Sequence, residues 1–184
     1  MGLDMYLLSV PKIDIPNGKT VRTEKSSFTI HQEDNVERLF LLNRFINYHV
    51  TDSNHLVNYP EVLPYIEKDS FWGFSIMKKI AYWREARGIH NWFLENVLDG
   101  KNSYEGKIVT EADIQNLLED IIVFLEAKKI EMGEVNSESS PNGLIFNGNY
   151  EQRYICELDY SQLMLKKILN QFDFDNYHLV YLVC

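Results

Sequence analysis

Between Tyr82 and Val97 the chain reads Tyr-Trp-Arg-Glu-Ala-Arg-Gly-Ile-His-Asn-Trp-Phe-Leu-Glu-Asn-Val, which places four aromatics, two arginines and a histidine within sixteen residues. A planar guanidinium beside an indole and an imidazole can hold a carboxylate or phosphate while a ring stacks on the aromatic face. Turned as a helix at about 100° per residue, Trp83, Arg87, His90 and Leu94 form a stripe at the edge of the buried face, with Arg84 and Asn91 further round. The candidate ligand- or partner-binding residues are therefore Trp83, Arg84, Arg87, His90, Asn91 and Trp92, with Asp4 as the acid that could answer an arginine. Gly88 leaves room for a backbone or a ligand to approach closely. The competing reading is structural: aromatic helices pack cores, and an arginine at a core edge often only neutralises a buried acid. The two readings separate on whether Arg84, Arg87 and His90 open into a cleft or are tied to Asp4 inside a closed core.

Other chemistry finds no constellation. His90 has no nucleophile or orienting partner in a motif that would make it a general base. His49 and His55 flank Asp52, but their spacing fits no helical zinc pattern, so no metal is expected. There is no glycine-rich phosphate loop, no Gly-x-Ser-x-Gly elbow and no His-Glu-x-x-His. Cys156 reads as a small core residue, since no basic neighbour in sequence would activate its thiol, and Cys184 is incidental. Glu157, Asp159, Asp173 and Asp175 read as a solvated acidic surface. The expectation is a protein without catalytic residues or cofactor.

Composition bounds the partners. The chain has 184 residues, 45% hydrophobic and 13% aromatic, with 27 acids against 18 bases and a formal charge of -9. A general grip on nucleic acid depends on a basic field over phosphates, so none is expected here. A basic partner stays open, including a nucleic-acid-binding protein whose groove an acidic surface could occupy. Two cysteines are too few for a disulfide framework, and no leader-like segment or run of 18 apolar residues is present, so a cytoplasmic protein with no membrane partner is expected.

The elements that must position these residues follow from periodicity. Leu3 to Val10 reads as a strand closed by Pro11, with Lys12 to Ser27 a loop or loose hairpin turning at Pro16-Asn17-Gly18. Glu33 to Tyr48 forms a first helix, whose Arg38 lies mostly away from the apolar face and whose Asn43 is either a satisfied core group or a pocket residue. Thr51 to Ser70 is irregular, with one short helical turn. A second helix spans Phe74 to Leu98, burying Tyr82, Ala86, Ile89, Phe93 and Val97. Thr110 caps a third helix, and Asp159 caps a fourth with Gln162 at the capping-box position. Asn142-Gly143 and Asn147-Gly148 bracket a short strand, and Tyr177 to Cys184 is a strand able to pair with the first. The composite is a compact α+β single domain over 1–184, mostly helical, of about four helices with a small sheet involving both ends of the chain.

The start Met-Gly-Leu-Asp-Met-Tyr-Leu at 1–7, together with Tyr82-Trp83-Arg84 and Ile89-His90-Asn91-Trp92-Phe93, resembles a family of small uncharacterised proteins encoded in bacteriophages and prophages. Phe146-Asn147-Gly148, Tyr150, Tyr154 and Leu158 are similar to that family's turn before its last helix. Residues 12–73 depart from the pattern as a divergent insert, and Tyr181 to Cys184 lacks the family's Ser-Ser-Trp ending. The resemblance implies a phage context and not a reaction. In that context the expected function is an accessory protein that binds and inhibits a host defence component such as a CRISPR effector. The alternative is a protein that sequesters a small anionic ligand or signalling nucleotide.

Overall fold

A computed structural model of the chain describes residues 3–23, 25–50, 58–69, 73–98, 100, 106–133 and 151–183. Strand β1 (Asp4–Pro11) leads into a hairpin of β2 (Lys19–Arg22) and β3 (Ser27–Ile30), then helix α1 (Asn35–His49). A 3-10 turn (Pro60–Tyr65) and a small hairpin of β4 (Glu67–Asp69) and β5 (Gly73–Ser75) follow. Strand β6 (Lys78–Arg84) precedes helix α2 (Arg87–Asn96), and β7 (Lys107–Val109) precedes α3 (Glu111–Gly133). Helix α4 (Glu151–Gln171) and strand β8 (Tyr177–Val183) complete the α+β fold.

The main sheet is antiparallel with strand order β6-β1-β8-β7, so the first and last strands lie at its centre. β1 and β8 pair in one unbroken register from Met5 opposite Val183 to Pro11 opposite Tyr177, the pairing expected of these two short apolar runs. The β1–β6 register slips once, between Leu7 and Leu8, leaving Ile80 as an extra residue on β6. The side-chain period of two splits the core between the faces. Met5, Leu7, Leu179, Tyr181 and Val183 pack with residues of α2, α3 and α4. Leu8, Val10 and Val180 face the other way, toward α1 and the β2–β3 hairpin.

Two helix starts behave as their cap residues require. Asp34 accepts the Glu37 amide at 3.0 Å to open α1. Thr110 and Asp113 bond reciprocally across the first turn of α3, the Thr110 amide donating at 2.8 Å and the Asp113 amide at 3.1 Å. Asn43 is the satisfied core group of the two alternatives, since its Oδ1 accepts from Ser75 Oγ at 2.8 Å and from the Ile76 amide at 2.9 Å.

Several expectations need correction. The helix from Phe74 to Leu98 is instead β5, β6 and α2, and Tyr82 stands on a strand with half-buried side chain. Ala86, Ile89 and Phe93 do share one buried stripe, but it starts at the helix and does not extend back to Tyr82. Glu85 breaks the two apart with φ of 59°, a left-handed conformation that neither strand nor helix continues through. Asp159 caps nothing, because α4 begins at Glu151 and passes through it. Arg38 is buried: its Nη1 donates to the carbonyls of Gln32 and Glu33, each at 2.7 Å, with the Asp14 carboxylate 3.6 Å away. That guanidinium ties the chain before and after the hairpin to α1. Cys156 is exposed on α4 and is no core residue. His55, Asp52 and the 142–148 turn lie outside the described residues. No helix among the described residues is long and apolar enough to cross a membrane.

Candidate functional site

The corner where β6 turns into α2 carries the residues singled out by type, and it sends them in two directions. On β6 the alternation of burial places Ala81 and Trp83 inward and Tyr82 and Arg84 toward the opposite face. Trp83 reaches α4, where its Nε1–H donates to Ser161 Oγ at 2.8 Å, and that hydroxyl donates onward to the Glu157 carbonyl at 2.6 Å. Trp92, on the inward side of α2, donates its Nε1–H to Asp120 Oδ2 of α3 at 2.8 Å. His90 is buried, with Nδ1 2.9 Å from Tyr181 Oη on β8. The rings close into one group: Phe93 stacks on Tyr181 at 4.0 Å between centroids and 16° between planes, while Trp92 meets Phe93 edge-on at 5.4 Å and 89°. Trp83, His90 and Trp92 are thus bound into the core between the sheet and three helices.

Gly88 has a structural reason. A Cβ at this position would lie 2.7 Å from Tyr154 Cζ, so the gap foreseen at the glycine is filled by a tyrosine of α4. Burial raises the Tyr154 hydroxyl pKa to about 12, with the Glu157 charge adding to the effect.

The remaining predicted residues lie at or near the surface. Arg84 and Arg87 are exposed and Asn91 is half-buried. Asp4 lies directly across from Arg84 in the strand register. Its carboxylate is engaged elsewhere, because Tyr82 Oη donates to Asp4 Oδ1 at 2.6 Å. That hydrogen bond, more than any burial, pushes the Tyr82 hydroxyl above its usual range. Tyr6 packs against Tyr82 at 5.1 Å between centroids, and Lys79 Nζ stands 5.5 Å from the Tyr82 ring. No ion pair holds Arg84 or Arg87 among the described residues. Of the predicted residues, the structure therefore brings Asp4 and Arg84 together with Arg87 following on α2, and withdraws Trp83, His90 and Trp92.

The backbone beside this group has no strand partner on its outer side among the described residues. The Glu85 amide donates to the Leu3 carbonyl at 2.7 Å, which sets the parity of the β1–β6 ladder. Tyr82 and Arg84, opposite Tyr6 and Asp4, are then in non-hydrogen-bonded pairs, and their N–H and C=O groups point away from β1 on the outer edge of the sheet. Arg84 and Arg87 can donate to carboxylate groups while an edge strand pairs with an added backbone. Tyr6, Lys79 and Tyr82 belong to this surface but were not among the predicted residues. Among the described residues no group of three His, Cys, Asp or Glu side chains is placed to hold a metal ion.

Comparison with protein-family models, curated proteins and solved structures returned no match.

Proposed function

We propose that this chain works by binding another protein, as a phage- or prophage-encoded accessory protein acting in the cytoplasm of a bacterial host on a defence component such as a CRISPR effector. The observation that carries the binding reading is the division at the β6–α2 corner. Trp83, His90 and Trp92 have internal partners, while Arg84, Arg87 and the Asp4–Tyr82 pair stand at or near the surface beside the β6 edge of the sheet. The phage setting rests on the resemblance of residues 1–7 and 82–93 to proteins encoded in such genomes. The formal charge of -9 disfavours a direct grip on nucleic acid, and Arg84 and Arg87, a local cationic exception, would meet carboxylates of the partner. Sequestration of a nucleotide by Trp83, Arg84, Arg87, His90 and Trp92 would require two indoles and an imidazole to leave the core.

The test is expression of the chain in bacteria with active CRISPR immunity, coupled to affinity capture of the effector. Plaque formation should recover, and the effector should be retained by the wild-type chain and lost with the Arg84→Glu, Arg87→Glu double variant. Immunity left intact, with no defence protein captured, would remove the reading.

A further inference from the structure

Helix α4 buries one face and leaves the other without a partner among the described residues. Leu158, Ser161, Leu165 and Ile168 are buried, whereas Leu163 is 68% exposed and Tyr160 45% exposed. At about 100° per residue Leu163 lies at the centre of the outer face. Cys156, Tyr160 and Lys167 fall on one side of its line, and Asp159, Lys166 and Asn170 on the other. All of these are exposed, and no ion pair engages Asp159, Lys166 or Lys167 among the described residues.

The pattern is self-complementary. A two-fold axis beside Leu163, perpendicular to the helix, sets a second α4 antiparallel to the first and keeps each flank opposite its own copy. Position then maps about Leu163: what lies three or four residues before it on one helix meets what lies three or four after it on the other. Leu163 meets Leu163 at the axis. On one flank Asp159 faces Lys166, on the other the Tyr160 ring faces Lys167, and symmetry makes each contact twice. A parallel arrangement would instead set Lys166 and Lys167 against themselves.

We propose that the outer face of α4 is a homodimer interface, in which the occupant of the Tyr160–Leu163 patch is the same patch of a second copy of this chain. The charge order along the helix, acid before Leu163 and bases after it, is what selects the antiparallel copy over other occupants. This surface is separate from the β6–α2 corner, so its use is independent of the defence-component reading.

Sedimentation velocity of the full chain over a concentration series tests it. Dimer should grow with concentration, and Leu163→Glu should abolish it. Lys166→Asp should weaken it about tenfold, since two attractive exposed pairs become repulsive ones, and Asp159→Lys with Lys166→Asp in the same chain should restore it. In a chain carrying Cys184→Ser, Leu163→Cys should form an intermolecular disulfide on mild oxidation. Cys156 should not, because its two copies would sit about 21 Å apart along the helices. A chain that is monomeric up to about 1 mM, a dimer indifferent to Leu163→Glu, or a charge swap that fails to restore association would each overturn the proposal.

Discussion

At the scale of single residues, tyrosines of α4 and β8 decide how the core tolerates change. Tyr154 lies against Gly88 so closely that Gly88→Ala cannot be absorbed without moving the ring, and such overpacking costs about 1 to 3 kcal/mol. Urea unfolding of Gly88→Ala, alone and combined with Tyr154→Ala, measures this, and the double variant should show less than the sum of the two losses. The same ring makes stability depend on alkaline pH. Burial raises the Tyr154 hydroxyl from 10.0 to about 12 and moves Tyr181 upward as well. Ionisation is therefore harder in the folded chain than in the unfolded one. The stabilisation that these protonated hydroxyls provide is complete below pH 10.0 and is lost as pH climbs toward about 12. Unfolding midpoints measured across that range should fall, and Tyr154→Phe should make the fall shallower. Asp4 shows why the candidate site was only half readable. Its type and position suggested an arginine partner, and the strand register does place Arg84 opposite. The Tyr82 hydroxyl took the carboxylate, a choice made by the fold and not by spacing in sequence.

Elements were readable where a local signal had no competitor. Thr110 and Asp113 cap α3 through bonds between residues three apart, and β8 pairs with β1 as two short apolar runs can. The run from Phe74 to Leu98 misled for a physical reason. Ala86, Ile89 and Phe93 have helical spacing, and Tyr82 extends that spacing backward by coincidence. What overrode it was β1, whose free side takes β6 as a partner, an event that no local pattern in residues 78–84 announces. The junction is made at Glu85, where φ of 59° puts a side chain in a region that favours glycine. Glu85→Gly should consequently raise stability by about 0.5 to 1 kcal/mol, read as a higher denaturant midpoint with an unchanged slope. A neutral or destabilising result would mean that the Glu85 side chain contributes more than its backbone strain costs.

For the whole molecule, the two-sided sheet is what joins the layers. Leu179 and Tyr181 belong to the helical side of the core and Val180, between them, to the other side, so β8 contributes to both. It also separates β1 from β7, and no other strand stands between them. A chain ending at Asn176 should therefore lose cooperative thermal unfolding altogether and not simply melt earlier. Circular dichroism during heating distinguishes the two, and a sharp transition in the truncated chain would contradict the central role of β8. The compact α+β architecture with both end strands in one sheet could be read from composition and periodicity. The split of the core by that sheet could not, because alternation shows that a strand has two faces without showing what covers each.

The pairing of β1 with β8 also has a consequence for synthesis. Between Pro11 and Tyr177 lie 165 residues of chain. A ribosome adding about 5 to 20 residues per second needs roughly ten to thirty seconds to cover that distance. Throughout that interval the apolar strand that will occupy the middle of the sheet has emerged without its central neighbour. The nascent chain must keep β1 from pairing wrongly, whether by early association with β6 or by chaperones, until β8 arrives.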